Sequence, residues 1–215
     1  MRTGVYIIGI AGGSGSGKTT FAKKIIRNLD HTHPIPLHGP KPIRILHLDN
    51  YYLSPQPEEN WIDGKPNFDT PDAFDWNLFY EHVQTLKNNG SVKIPVYDFK
   101  LSTRIQETKP LGPVTILMIE GIYAFWDPRV IPLMDLKIFL HVKDDIRLIR
   151  RLARDAEERN RDVDSIINQY YQTVRPMHLK YVAPTAECAD LLVPEETDMA
   201  ATIIAAKLKE ILNNQ

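Results

Sequence analysis

The sequence predicts an α/β domain built on a parallel sheet with helices packed on it. Three observations carry that expectation. Apolar runs of strand length alternate with segments whose apolar residues recur every three or four positions. One run, Pro113-Val-Thr-Ile-Leu-Met-Ile119, has the pattern of a strand covered on both faces. Finally, the first strand leads through a glycine-rich turn straight into a helix.

That first unit is the most informative. Val5-Tyr-Ile-Ile-Gly-Ile10 is the strand, and Phe21, Ala22, Ile25, Ile26 and Leu29 make one face of the helix. Between them Gly12 to Thr19 reads G-x-x-x-x-G-K-T, a P-loop motif in its strand–loop–helix context. A glycine-serine linker would not be wedged between an apolar strand and an amphipathic helix. Gly12, Gly13, Gly15 and Gly17 let successive N–H groups turn toward one anion, with Ser14, Ser16 and Thr20 in the same stretch. The helix adds its free N–H groups and positive dipole end. Lys18 would set a compact charge at the outer phosphates, and Thr19 would offer its hydroxyl to Mg²⁺. The expected fold is therefore a P-loop NTPase-type sheet.

The next segments follow in order. His31 to Pro42 reads as a loop because it holds four prolines and a glycine, and its histidines, His31, His33 and His38, lack the paired carboxylates a metal site would want. Ile43 to Asp49 is a second strand. Leu53 to Pro71 is a long polar connection, a length that usually has a function. Asp75 to Asn88 is helical, Val92 to Phe99 a short strand, and Leu136 to Val142 another. Asp145 to Arg159 is a charged helix and Ser165 to Tyr171 a second. Asp190 to Pro194 is a terminal strand and Met199 to Leu212 a closing amphipathic helix. We read one domain over residues 1–215, with a lid at about 145–172 and an insertion at about 50–105 that would line an acceptor pocket.

In parallel sheets the ligand lies at the carboxyl ends of the strands. Strand two ends in Asp49 and the buried run in Glu120. Two carboxylates facing phosphates call for a cation between them, which Mg²⁺ supplies. Glu120 is placed as a metal or metal-water partner, or alternatively as an acid capping the following turn. Asp49 has a second use, because phosphoryl transfer to an alcohol needs the hydroxyl oriented and its proton accepted. The charged helix carries Arg147, Arg150, Arg151 and Arg154 on about a third of its circumference. Pairs such as Arg151–Asp155 and Arg154–Glu158 would make it a solvated face; an arginine-rich helical lid over the phosphates is the reading the P-loop favours.

Composition bounds the rest. The 215 residues contain 26 Lys plus Arg against 27 Asp plus Glu, a formal net charge of −1, which gives no basic footprint for nucleic acid. No apolar run reaches membrane-spanning length, so neither a membrane span nor a signal peptide is expected. The single cysteine, Cys188, excludes an intrachain disulfide and fits a cytoplasmic protein. A guanine-nucleotide switch would need an N-K-x-D segment, and Val142-Lys-Asp-Asp145 lacks its leading residue. No segment resembles the L-S-G-G-Q of transporter ATPases. A small-molecule kinase remains.

Several segments, in order, resemble the uridine (uridine-cytidine) kinase family, relatives of phosphoribulokinase and pantothenate kinase. They are Gly9 to Thr20, Asp49-Asn-Tyr-Tyr52, Asn67-Phe-Asp-Thr-Pro-Asp-Ala-Phe-Asp75, Pro95-Val-Tyr-Asp-Phe99 and Glu120-Gly-Ile-Tyr-Ala-Phe125. Arg150-Arg-Leu-Ala-Arg-Asp155, Glu158-Arg-Asn-Arg-Asp162 and Gln169-Tyr170 through Val174-Arg-Pro176 complete the set. The resemblance implies ATP-dependent phosphorylation of the 5′-hydroxyl of a pyrimidine ribonucleoside, with Asp49 as catalytic base and Thr19 and Glu120 as magnesium partners. It also implies that Asp69, with Arg151 beside it, holds ribose hydroxyls. Tyr52, Phe68, Tyr97 and Phe99 would form the nucleoside pocket, Arg161 and Gln169 further contacts, and Arg154 and Arg159 the phosphate-facing lid. Where the family commonly has a histidine that reads the pyrimidine edge, this chain has Ser102, and its 31–42 loop is longer than usual. Family members are often tetramers, so the resemblance implies a homo-oligomer. The alternatives are a kinase of the same superfamily for a sugar phosphate or pantothenate-like alcohol, and a nucleotide-binding regulator without turnover. Lys18 and Asp49, both present, argue against the last.

Overall fold

The computed structural model describes residues 4–33 and 42–213. In chain order the elements are β1 (Tyr6–Ala11), α1 (Lys18–Thr32), β2 (Ile43–His47), a short hairpin of β3 (Trp61–Ile62) and β4 (Lys65–Pro66), and α2 (Trp76–Lys87). Then come β5 (Val92–Asp98), β6 (Thr103–Leu111), β7 (Ile116–Glu120), β8 (Leu136–Leu140), α3 (Asp144–Arg159), α4 (Val163–Gln169), α5 (Arg175–Met177), β9 (Leu191–Val193) and α6 (Asp198–Asn213).

Five strands form the central sheet in the order β2-β7-β1-β8-β9, every neighbouring pair parallel. Because side chains alternate along a strand, both faces need cover. Ile7 of β1 and Leu117 and Ile119 of β7 pack on one side with Phe79, Val83 and Leu86 of α2. Ile8 and Ile10, with Ile116 and Met118, pack on the other against Phe21, Ile25 and Leu29 of α1 and Ile204 and Leu208 of α6. Burial at about 1.5–3 kcal/mol per large apolar side chain is what holds α1, because its N-cap, Gly17, offers no side-chain hydrogen bond. Helix α2 is capped instead: the Asp75 carboxylate accepts from the Leu78 N–H at 3.1 Å.

Four segments depart from expectation. Strand β2 stops at His47, and Asp49 lies in the 3₁₀ turn Leu48–Tyr51 that follows. Strand β6, unforeseen because Thr103–Leu111 is largely polar and exposed, pairs antiparallel with β5 as an arm separate from the main sheet. Beyond Gln169 the chain stays helical to Cys188 through wide turns at Tyr170–Val174 and His178–Val182 and a 3₁₀ stretch. Pro176 and Pro184 remove N–H donors from this stretch, and altered hydrogen-bond spacing keeps it helical. Helix α1 also runs to Thr32, which puts His31 on its exposed last turn, while His38 and residues 34–41 lie outside the described residues.

Candidate active site

Ser14 of the P-loop, Asp49 and Tyr52 beyond β2, the β3–β4 hairpin, the β5–β6 arm and helices α3 and α4 line one cleft of about 1070 Å³. At its phosphate end Gly15 takes φ +79° and Gly17 φ +91°, the left-handed backbone that turns the loop into α1. A methyl group on Gly13 would overlap the guanidinium of Arg147, and one on Gly15 the Arg147 carbonyl, so the loop also needs glycine where α3 docks on it. Buried Lys18 donates to the Gly13 carbonyl at 3.1 Å, and burial, only partly offset by the charges of Glu120 and Asp49, lowers its pKa. Among the described residues it has no carboxylate at ion-pair distance. The buried Ser16 hydroxyl has no hydrogen-bond partner among the described residues. An ammonium and a hydroxyl left this way suit an anion that brings its own acceptors.

Parallel pairing puts His47 opposite Glu120. His47 Nδ1 lies 2.6 Å from Glu120 Oε1, and the Thr19 hydroxyl donates to the same oxygen at 2.9 Å. Burial disfavours the Glu120 carboxylate, but the His47 hydrogen bond, the Lys18 charge and the Thr19 hydroxyl outweigh it, and its pKa falls below the usual range. Asp49 shifts the other way: burial and then the Glu120 charge raise it, against Lys18 and Arg159. One carboxylate thus stays ionised while its neighbour is more basic, a division suited to cation binding beside proton acceptance.

Helix α3 forms the opposite wall. Arg147 is 2% exposed and bonds the Val142 carbonyl and Asp144 rather than sharing a free face with Arg150, which pairs with Glu195. Arg154 turns to Asp155, not Glu158, at 2.7 Å. Arg151, Arg159 and Arg161 meet the same Asp155 carboxylate at 3.6, 3.4 and 3.6 Å. The arginines therefore form a bundle around one buried acid.

The far end holds Asp69, whose Oδ2 accepts from the Thr173 hydroxyl at 2.7 Å and from Gln169 Nε2 at 3.3 Å. Gln169 Oε1 in turn accepts from Arg151 at 3.0 Å and Arg161 at 2.6 Å. Tyr52, Phe68 and Tyr97 form an aromatic cluster with ring centroids 5.2–6.4 Å apart. Phe99 meets Tyr97 edge-on, and the Arg159 guanidinium lies 4.6 Å over its ring, which joins α3 to the β5–β6 arm. Ser102, at φ +50°, lines the cleft with Tyr97, whose hydroxyl burial pushes up to about 12.

Residues 7–201 match the model of the "Phosphoribulokinase / Uridine kinase family". The chain belongs to that family. A Clostridium perfringens protein named uridine kinase is 41% identical over 99% of this chain and 98% of its own length. Another so named, from Oceanobacillus iheyensis, is 40% identical over 96% and 95%. Among solved structures, phosphoribulokinase from Rhodobacter spheroides superposes with a TM-score of 0.62 at 13% identity, over 88% of this chain and 70% of that one, a likeness of fold.

Within this family member, the cleft brings together Asp49, Tyr52, Phe68, Asp69, Tyr97, Phe99, Ser102, Arg151, Arg154, Arg159, Arg161 and Gln169, with Ser14 at its floor. Lys18, Thr19 and Glu120 are outside its lining: Lys18 and Glu120 are buried and act on Asp49 through their charges, Thr19 is partly buried, and Thr20 is exposed on the first turn of α1. Sequence reasoning missed His47, Thr173 and the central place of Asp155. The spacing of His47 from Asp49 puts both near one strand end, but only sheet register sets it against Glu120. Asp155 was visible as an i,i+4 partner; its burial was not. The hard oxygens of Thr19, Glu120 and Asp49 fit a magnesium ion. No helix among the described residues is long and apolar enough to cross a membrane.

Proposed function

We propose that the chain is a uridine/cytidine kinase that transfers the γ-phosphoryl group of ATP to the 5′-hydroxyl of a pyrimidine ribonucleoside, a step of pyrimidine salvage. The observation that carries this reading is the two-ended cleft: an anion cradle beside Asp49, and a hydroxyl-accepting carboxylate, Asp69, beneath an aromatic wall. Full-length relatives named uridine kinase support it.

P-loop amides and Lys18 hold the donor phosphates. Asp49 orients the 5′-hydroxyl and accepts its proton as the oxygen forms its bond to the γ-phosphorus; the bond to the β-phosphate oxygen breaks and ADP leaves. Arg154 and Arg159 offset charge on the transferring group. Thr19, Glu120 and Asp49 would hold Mg²⁺, which neutralises phosphate charge when bound. Asp69 and Arg151 orient the ribose, with Arg161 and Gln169 behind them. Tyr52, Phe68, Tyr97 and Phe99 form the slot for the base, and Ser102 stands at its edge. The reading includes a cytoplasmic homo-oligomer, for which the exposed free thiol of Cys188 suits a reducing compartment.

The test is ADP release from ATP with Mg²⁺ against uridine, cytidine, adenosine, guanosine, ribulose 5-phosphate and pantothenate. Turnover of uridine or cytidine well above the others is expected. Turnover confined to a sugar phosphate or pantothenate would overturn the substrate assignment and leave the phosphate site intact.

A further inference from the structure

The Asp155 side chain is fully buried, yet one carboxylate serves four guanidinium groups, and its two oxygens divide them. Oδ1 takes Arg154, at 2.7 Å from Nη2 and 2.9 Å from Nε, and Arg159 at 3.4 Å. Oδ2 faces Arg151 Nε and Arg161 Nη1, each at 3.6 Å, and among the described residues neither Oδ2 nor Arg151 Nε has a hydrogen bond. The first pair are the arginines assigned above to the phosphates; the second pair lead through Gln169 to Asp69, and Arg151 also donates to the Ser14 hydroxyl of the P-loop at 2.8 Å.

That asymmetry is informative. A buried donor and acceptor facing each other at 3.6 Å are each without a hydrogen bond, and a movement of a few tenths of an ångström would give both one. The weakest link nearby is the 3.3 Å bond from Gln169 to Asp69 Oδ2. A ribose hydroxyl that donates to Asp69 Oδ2 would compete for that oxygen and free Gln169 to move with the two guanidinium groups it holds. Because a carboxylate is planar and rigid, tightening at Oδ2 reorients Oδ1. Arg154 and Arg159 are then reset at the other end of the cleft.

We propose that Asp155 is a positioning residue that couples the two ends of the site, so that ribose hydroxyls engaged at Asp69 set the orientation of the phosphate-facing Arg154 and Arg159. The inference rests on the uridine kinase reading given above. It assigns part of the selectivity for ribose to the rate of transfer rather than to affinity.

The experiment measures kcat and KM for uridine and 2′-deoxyuridine, with Kd for both nucleosides by calorimetry, in the wild-type protein and in Asp155→Asn. In the wild type, loss of the 2′-hydroxyl is expected to lower kcat about tenfold, the scale of one hydrogen bond. In Asp155→Asn, kcat for uridine is expected to fall about 10²-fold or more, the scale of a lost charge stabiliser. The deoxy penalty on kcat should then shrink to about twofold or less, while the ratio of the two Kd values stays as in the wild type. A purely structural role would lower kcat for both nucleosides alike and leave the penalty unchanged. If Asp155→Asn does not fold, Arg161→Lys, which keeps the charge but loses the fork to Gln169 and Asp155, is expected to shrink the same kcat penalty. A wild-type penalty lying wholly in KM, or one undiminished in the folded variants, overturns the coupling. A wild-type protein that phosphorylates other acceptors but not uridine refutes the substrate assignment, and the coupling with it, before any variant is made.

Discussion

Asp49 feels the charges of both Lys18 and Glu120, and burial with the Glu120 charge raises its pKa. A proton acceptor needs that shift, since a more basic carboxylate takes the hydroxyl proton more readily. Asp49→Asn, which keeps an oxygen donor for the cation but loses the proton acceptor, is expected to cut kcat by about 10²-fold or more with ATP affinity nearly unchanged. The wild-type acid limb, where rate falls as Asp49 is protonated, should vanish from the residual activity. Steady-state pH profiles of both proteins check this, and a retained kcat with the same acid limb would remove Asp49 from the mechanism. Ser102 allows a second expectation. Its hydroxyl both donates and accepts, so it does not separate the N3–H of uridine from the bare N3 of cytidine. Both nucleosides are expected to be substrates, within about tenfold in kcat/KM, because one neutral hydrogen bond is worth roughly 1 kcal/mol.

Between elements, the decisive contact is α3 on the P-loop. Arg147 lies over Gly13 and its backbone carbonyl over Gly15, so the lid helix and the phosphate cradle share a surface. Alanine at Gly13 would push against a side chain held by Val142 and Asp144, an overpacking cost of about 1–3 kcal/mol. Alanine at Gly15 meets backbone, which cannot step aside, and adds roughly 1–2 kcal/mol for a side chain in left-handed geometry. Urea midpoints are therefore expected to fall in both variants and further in Gly15→Ala, with ATP affinity lost in the same order. Equal stability of Gly15→Ala and the parent protein would show that the loop does not carry α3.

Across the whole molecule, His178 links these pieces to solvent pH. It lies beside Gly13 and Arg147, well away in sequence from both. Burial and the Arg147 charge, followed by Lys18 and His141 and against Asp144, lower its pKa to about 4. An unfolded histidine titrates near 6.5, so between about pH 6.5 and 4 the unfolded chain binds a proton that the folded chain refuses. Stability therefore falls as pH drops through that window, by up to about 1.4 kcal/mol per pH unit from this group. His178→Gln is expected to flatten the slope of unfolding free energy against pH there. A slope identical to the wild type would mean that His178 is protonated in the fold.

The sequence alone determined the family-defining parts, because they are local. A run of glycines after an apolar strand dictates a loop and a helix start, the spacing of Phe21, Ile25 and Leu29 dictates the face α1 buries, and the motif order names the kinase family. It also brought the twelve cleft side chains forward as candidates. Tertiary structure decided what those groups do to one another. Sheet register put His47 on Glu120, burial made Asp155 the common partner of four arginines, and the polar β6 became a strand only by pairing with β5. These outcomes depend on which distant segments exclude water together. Burial sets whether an aspartate is a solvated surface acid or the pivot of a charged network, and no local pattern encodes burial for a residue flanked by arginines on a polar helix.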